Sequence, residues 1–147
     1  MSLPAPKVPI SWGELIDKIT ILEIKRVNIF TPSSLANINK ELDCLNEIVF
    51  NNTGVEELVS ELKQKLCDVN TRLWKVEDDI RDKEFKCEFD ADFIELARKV
   101  YRLNDDRAGL KKSINQALKS EFIEEKSYKD FSSAINILAD TKVKCST

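Results

Sequence analysis

The sequence predicts an all-α fold, an antiparallel helical bundle built on a coiled-coil hairpin, with about four main helices. The first observation is spacing. Apolar residues recur three and four apart in three runs: Leu35, Ile38, Leu42, Leu45 and Val49; Val55, Leu58, Leu62, Leu66, Val69, Leu73, Val76 and Ile80; and Phe93, Leu96, Val100, Leu103, Leu110, Ile114 and Ala117. Such spacing lines one stripe of a helix. The second observation is composition: three Gly and four Pro leave few tight turns, and 33% charged residues supply solvated helix faces. The third is length, since 147 residues suffice for one domain with its own core.

Three prolines before Ile10 make an extended lead-in. Ser11 can cap a first helix, Glu14 three residues later completes a capping box, and Ile10 with Leu15 forms the staple. That helix spans about 12–29, with Leu15, Ile16, Ile19, Leu22 and Val27 inward and Glu14 set to pair Lys18. Thr31-Pro32 ends it, because proline disfavours helix in the residue before it and suits the first turn of the next. A second helix, about 33–50, closes at Asn51-Asn52-Thr53-Gly54, residues that tolerate left-handed turns. A third runs over about 55–86. The pattern then loses phase, and Asp90 can cap a fourth helix that continues to about 119.

At 1.5 Å per residue the last two helices reach roughly 45 Å and the first two about 27 Å. Paired as a hairpin, the long helices bring Asn70 opposite Arg107, Trp74 opposite Leu103, Glu77 opposite Val100 and Tyr101, and Asp79 opposite Arg98. The second helix covers only the Val55 to Asn70 half of the third. The distal half therefore exposes its stripe unless the first helix swings over it or a second chain covers it, and such a stripe is a binding or oligomer surface. A weakly amphipathic stretch from Tyr128 to Ala139 has the pattern of a short fifth helix. The domain expected is 10–128, with 129–147 as a C-terminal extension.

Histidine is absent, which removes the commonest general base, the Ser/His and Cys/His nucleophile pairs and most zinc sites. The four cysteines lie far apart with no C-x-x-C and read as reduced thiols. A net charge of −3 does not describe a nucleic-acid binder. No apolar run approaches the ~20 residues that cross a bilayer, so no membrane insertion and a cytoplasmic location are expected. No motif implies a cofactor, a metal or a catalytic residue.

The candidate binding residues sit on the distal half: Asn70, Trp74, Glu77, Asp79, Arg98, Tyr101, Arg102, Asp105 and Arg107. Arg107 stands where the heptad expects a hydrophobe between Leu103 and Leu110. In one reading these polar groups fix hairpin register, as a buried Asn or ion pair does in coiled coils, and Arg107→Leu leaves the fold intact. In the other, Glu77, Arg98, Tyr101 and Arg107 line a polar pocket between helices. Glu77, Asp78, Asp79 and Asp82 offer oxygens to a divalent cation, but consecutive positions face different ways and the neighbouring Arg and Lys answer their charge. The positive balance of the fourth helix, from Arg98, Lys99, Arg102, Lys111 and Lys112, is answered by the acidic third.

Ser11 with Gly13-Glu14-Leu15-Ile16-Asp17-Lys18-Ile19-Thr20-Ile21-Leu22-Glu23-Ile24-Lys25, then Leu73-Trp74 with Glu77-Asp78-Asp79-Ile80-Arg81, Glu95-Leu96-Ala97-Arg98 with Val100-Tyr101 and Asn104-Asp105, and Glu124-Glu125-Lys126-Ser127-Tyr128, resemble the signature of an uncharacterised bacterial all-helical family, a domain of unknown function. The resemblance covers about 10–128. It implies an accessory role near cell-surface polysaccharide synthesis and adds Asp17, Lys18, Lys25 and Glu125 to the candidates. The function expected is a non-catalytic binding or adaptor module, a homodimer or a partner to another protein. The alternative is a small ligand binder or enzyme with a charged inter-helix pocket, by fold-level analogy with all-helical chorismate mutases or magnesium-dependent nucleotide pyrophosphohydrolases.

Overall fold

The computed structural model describes residues 3–128 and contains four helices: α1 (Trp12–Asn28), α2 (Pro32–Phe50), α3 (Val55–Phe85) and α4 (Ala91–Ala117). Each boundary has a local cause. Ser11 Oγ accepts the Glu14 N–H at 3.2 Å, and Asp90 Oδ1 accepts the Phe93 N–H at 3.0 Å. Pro32 opens α2, where its missing N–H has no helical partner to lose. Gly54 enters α3 at φ +85°, a left-handed backbone that only glycine adopts freely.

The long helices end alike, in Schellman turns. After α3 the Glu88 N–H returns to the Lys83 carbonyl and the Cys87 N–H to that of Glu84, with Cys87 at φ 55°. After α4 the Ser120 N–H returns to Asn115 and the Lys119 N–H to Gln116, with Lys119 at φ 50°. Both use the bonding pattern that a left-handed residue after the cap permits, here without glycine.

Helix α1 is the hub, packing against α2, α3 and α4. Its Leu15, Ile16, Ile19 and Leu22 meet Ile38 and Leu42 of α2, Val55, Val59 and Leu66 of α3, and Ile114 of α4 in the main core. A second core runs down the hairpin, where Val69, Leu73 and Val76 meet Leu103, with Leu96, Val100 and Leu110 packed alongside. Three residues expected inside are outside, Leu58, Val27 and Ala117, the last in the final turn of α4. Leu58 is 66% exposed because Val55 and Val59 take the inward positions, an α-helix drifting against a strict heptad. Val27 is 65% exposed because the last turn of α1, from Arg26 to Asn28, is exposed throughout.

Helix α1 stops short of the distal hairpin. No residue from 77 to 102 is buried, although Ile80, Phe93, Leu96 and Val100 are half-buried on the seam. Past α4, residues 119–128 fold back as a non-helical strap. Of the stretch expected as a fifth helix, Tyr128 lies in this strap, 73% exposed, and the remainder falls outside the described residues, as does the expected 129–147 extension. Among the described residues no helix is long and apolar enough to cross a membrane.

Candidate functional site

Gly13, Asp17 and Thr20 are buried on α1 with its apolar side chains, so the helix carries a polar line into the bundle. Asp17 is 1% exposed. Arg107 from α4 grips its carboxylate with both arms of the guanidinium, Nε to Oδ1 at 2.9 Å and Nη2 to Oδ2 at 2.5 Å. Asn70 of α3 donates through Nδ2 to the same Oδ1 and to Thr20 Oγ1, each at 2.9 Å, while the Thr20 hydroxyl donates to the Asp17 carbonyl at 2.8 Å. Three helices therefore meet on one carboxylate. The Asp17 bonds, stronger than the opposing burial, hold the Arg107 guanidinium above its ordinary value.

A second buried charge lies toward the other end of α1. The Lys111 side chain is 6% exposed and pairs with Glu14 of α1 at 2.6 Å and Glu124 of the strap at 2.5 Å. Burial alone would lower this ammonium; the Glu124 and Glu14 carboxylates outweigh it and the net displacement is upward. The same contact, against some burial, holds the Glu124 carboxyl below its usual value. Gly13 donates its N–H to Asn115 Oδ1 at 2.6 Å, and a Cβ there would collide with the Lys111 carbonyl. Trp12 N–H reaches Ser120 Oγ at 3.2 Å, so α4 and the strap clasp the start of α1.

Beside the Asp17 network, in the corner where α1 meets the projecting hairpin, lies a cleft of about 400 Å³. Ile21 and Ile24 of α1, Leu73 and Trp74 of α3, and the polar Asn70, Glu77, Asp78, Arg81, Asn104 and Arg107 line it. A smaller one of about 160 Å³ lies between α4 and the strap and includes Lys111, Lys112, Glu124 and Glu125.

Of the residues singled out from sequence, Asp17, Asn70 and Arg107 converge, with Asn70 opposite Arg107 as the hairpin register requires. Trp74 and Glu77 share the cleft with them. The other candidates stand apart. Asp79 pairs with Lys75 one turn earlier at 2.9 Å, not with Arg98, and Glu77 pairs with Arg81 at 2.5 Å. Arg98 and Arg102 both lean on Glu95, at 3.8 and 3.5 Å. Spacing along a single helix favours these pairs over bridges across the hairpin. The Arg102 guanidinium lies 6.0 Å from the Tyr101 ring centre, and Asp105 is exposed. Lys18 faces away from Asp17's network and pairs with Glu41 of α2 at 2.7 Å, so the expected Glu14–Lys18 pair does not form. Glu125 borders the smaller cleft.

Sequence reasoning missed Thr20, Lys111 and Asn115. Lys111 read as a surface cation, yet it lies one turn past Arg107 and three positions before Ile114, on the buried side of α4. The available signal was the run of small or polar residues Gly13, Asp17 and Thr20 in phase with the apolar stripe.

The fold and its buried charges define an all-α bundle in which a central helix is held by carboxylate pairs to a longer hairpin. The chain belongs to a family of unknown function (DUF6165), whose model matches residues 6–138, past the last motif recognised in the sequence. No curated protein and no solved structure matches it.

Proposed function

We propose that the chain is a non-catalytic helical binding module that presents the distal half of the α3–α4 hairpin to a protein partner. One observation carries this reading: the hairpin projects beyond α1 with no buried residue from 77 to 102, while Phe85, Phe89 and Ile94 are 88%, 58% and 58% exposed. Grouped apolar exposure of this kind marks an interaction surface. The charges nearby support binding over chemistry. Arg107 is committed to Asp17 and Arg81 to Glu77, so the cleft's cations already face carboxylates within the chain. The sequence resemblance supports an accessory role beside cell-surface polysaccharide synthesis.

Tagged full-length chain, wild type and Phe89→Glu/Ile94→Glu, tests this by crosslinking and co-purification from the native cell, with circular dichroism as the check on folding. The expected result is a protein captured by the wild type and lost with the folded variant. Equal capture by both would overturn the assignment of the distal face.

A further inference from the structure

The hairpin tip of this molecule is apolar and acidic, and the corner cleft offers apolar walls next to a basic helix end. The tip, residues 82–92, exposes Phe85 and Phe89, the latter set edge-on to Phe93 at 5.3 Å. Its charged residues are Asp82, Glu84, Glu88, Asp90 and Asp92 against Lys83 and Lys86; Lys83 pairs with Glu88, Asp90 and Asp92 and Lys86 with Asp82, and a net −3 remains over the tip. The corner offers an apolar wall, Ile21 and Ile24, and an apolar floor, Leu73 and Trp74, while Glu77 and Asp78 on its polar side stand beside Arg81 and Arg107 and leave the cleft itself without a positive balance. Immediately beyond that wall, α1 ends in Lys25 and Arg26, then exposes Val27 and Phe30, with no acidic residue from 24 to 31.

We propose that the tip of one copy occupies the corner of a second copy and receives that copy's tip in return, giving a two-fold dimer. This rests on the reading of the distal hairpin as a binding face and names its occupant. Trp74 and Cys87 are thirteen residues apart, so corner and tip are separated by about 20 Å of helix. When two hairpins lie side by side and antiparallel, that one distance brings both tips to both corners at once, the closure an isologous interface requires. Ile80, Leu96 and Val100, half-buried on a two-helix seam, then lie within a four-helix layer. The acidic tip meets the basic end of α1 twice, once on each side of the axis.

Two helices about 10 Å wide over about 20 Å give roughly 400 Å² of flat contact per copy before the tips are added. The two copies together bury about 800 Å² in this layer, so the tips must supply the remainder for the total to reach the low end of specific interfaces, about 1,200 Å². The dimer is therefore concentration-dependent, and the charged contact weakens with salt.

Light scattering after size exclusion, on the full chain across the micromolar range, reads the mass. Two charge reversals make the test specific: Lys25→Glu/Arg26→Glu turns the corner acidic, and Glu84→Lys/Glu88→Lys turns the tip basic. Each variant alone brings like charges together at both contacts, whereas a mixture restores opposite charges at both. The expected result is a doubling of mass for the wild type, a monomer for each variant where the wild type is dimeric, and recovery of the doubled mass on mixing. Circular dichroism confirms that each variant is folded. A wild type that stays monomeric, a variant that dimerises like the wild type, or a mixture that stays monomeric would overturn the proposal. A monomer that still captures a different protein through the distal face would sink the dimer and leave the binding-module reading standing.

Discussion

Replacing Arg107 with Leu isolates the central charge pair. The substitution removes two charge-assisted hydrogen bonds, at 2.9 and 2.5 Å, from a carboxylate that is 1% exposed. Asp17 then keeps the Asn70 amide at 2.9 Å as its remaining neutral donor from another helix. Breaking a buried pair from one side costs about 3–5 kcal/mol, because the surviving charge is left without a counter-charge. Against a total stability of about 5–15 kcal/mol this is a large fraction, and it corresponds to a fall in Tm of about 10 °C or more. The register reading taken from sequence expects Arg107→Leu to leave the fold intact, whereas the depth at which Asp17 is buried leads to the opposite expectation. The cycle is completed with Asp17→Leu and with the double variant Asp17→Leu/Arg107→Leu, each followed by urea unfolding monitored through helical ellipticity. The double variant is expected to lie closer to the wild type than either single, since an apolar pair of similar volume often replaces a buried ion pair at little cost. An Arg107→Leu chain within about 1 kcal/mol of wild type, or a double variant as unstable as the sum of the singles, would refute the assignment of this pair as buried and coupled.

Gly13→Ala should destabilise by about 2 kcal/mol or more despite alanine's better helix propensity, because its Cβ meets the Lys111 carbonyl and stands 3.0 Å from Asn115 Oδ1; thermal melts decide it. The strap contact should weaken in acid. Glu124's carboxyl is held below its ordinary 4.5, so its contribution is present above that value and is lost as pH falls through the lower folded one. Loss of the strap should register in Trp12 emission in a Trp74→Phe background, Glu124→Gln should mimic it at neutral pH, and either should cost no more than about 1 kcal/mol, because Glu124 is partly solvated and Glu14 still answers the buried Lys111. Thiol labelling followed by peptide mass mapping should find Cys44 and Cys87, which are exposed, modified ahead of Cys67, whose thiol burial pushes up and whose neighbour Glu23 pushes further. Faster labelling of Cys67 would contradict the packing around α3.

The helices were legible because their signals are local. Ser11, Pro32 and Asp90 mark starts through hydrogen bonds or ring geometry within one turn, and the three-and-four spacing placed the stripes to within the drift that turned Leu58 outward. The register of the hairpin was legible at Asn70 and Arg107 because few polar residues interrupt that stripe. What joins α1 to the hairpin was not. Asp17 and Lys111 are ordinary charged residues of amphipathic helices until a partner some 90 positions away is known, and only its phase with the apolar stripe separates Asp17 from Lys18 beside it. The pairing of Asp79 with Lys75 rather than Arg98 follows from competition: a neighbour one turn away is already in reach, whereas one across the hairpin must be brought there.

The bonds that hold α1 have a bearing on how the chain is made. Asp17 waits for Arg107, Glu14 for Lys111, Gly13 for Asn115 and Trp12 for Ser120, links that span 90 to 108 positions. Helix α1 leaves the ribosome well before α4, so these polar groups wait longest for their partners. Until α4 emerges, the nascent chain carries an apolar helix with a carboxylate in its midst, exposed to aggregation and to chaperones. Contacts this distant along the chain also slow folding relative to other helical bundles, whose contacts are mostly local. A chain ended anywhere before residue 107 has no means of completing the centre, so a truncation that spares the first three helices whole still leaves Asp17 without its counter-charge.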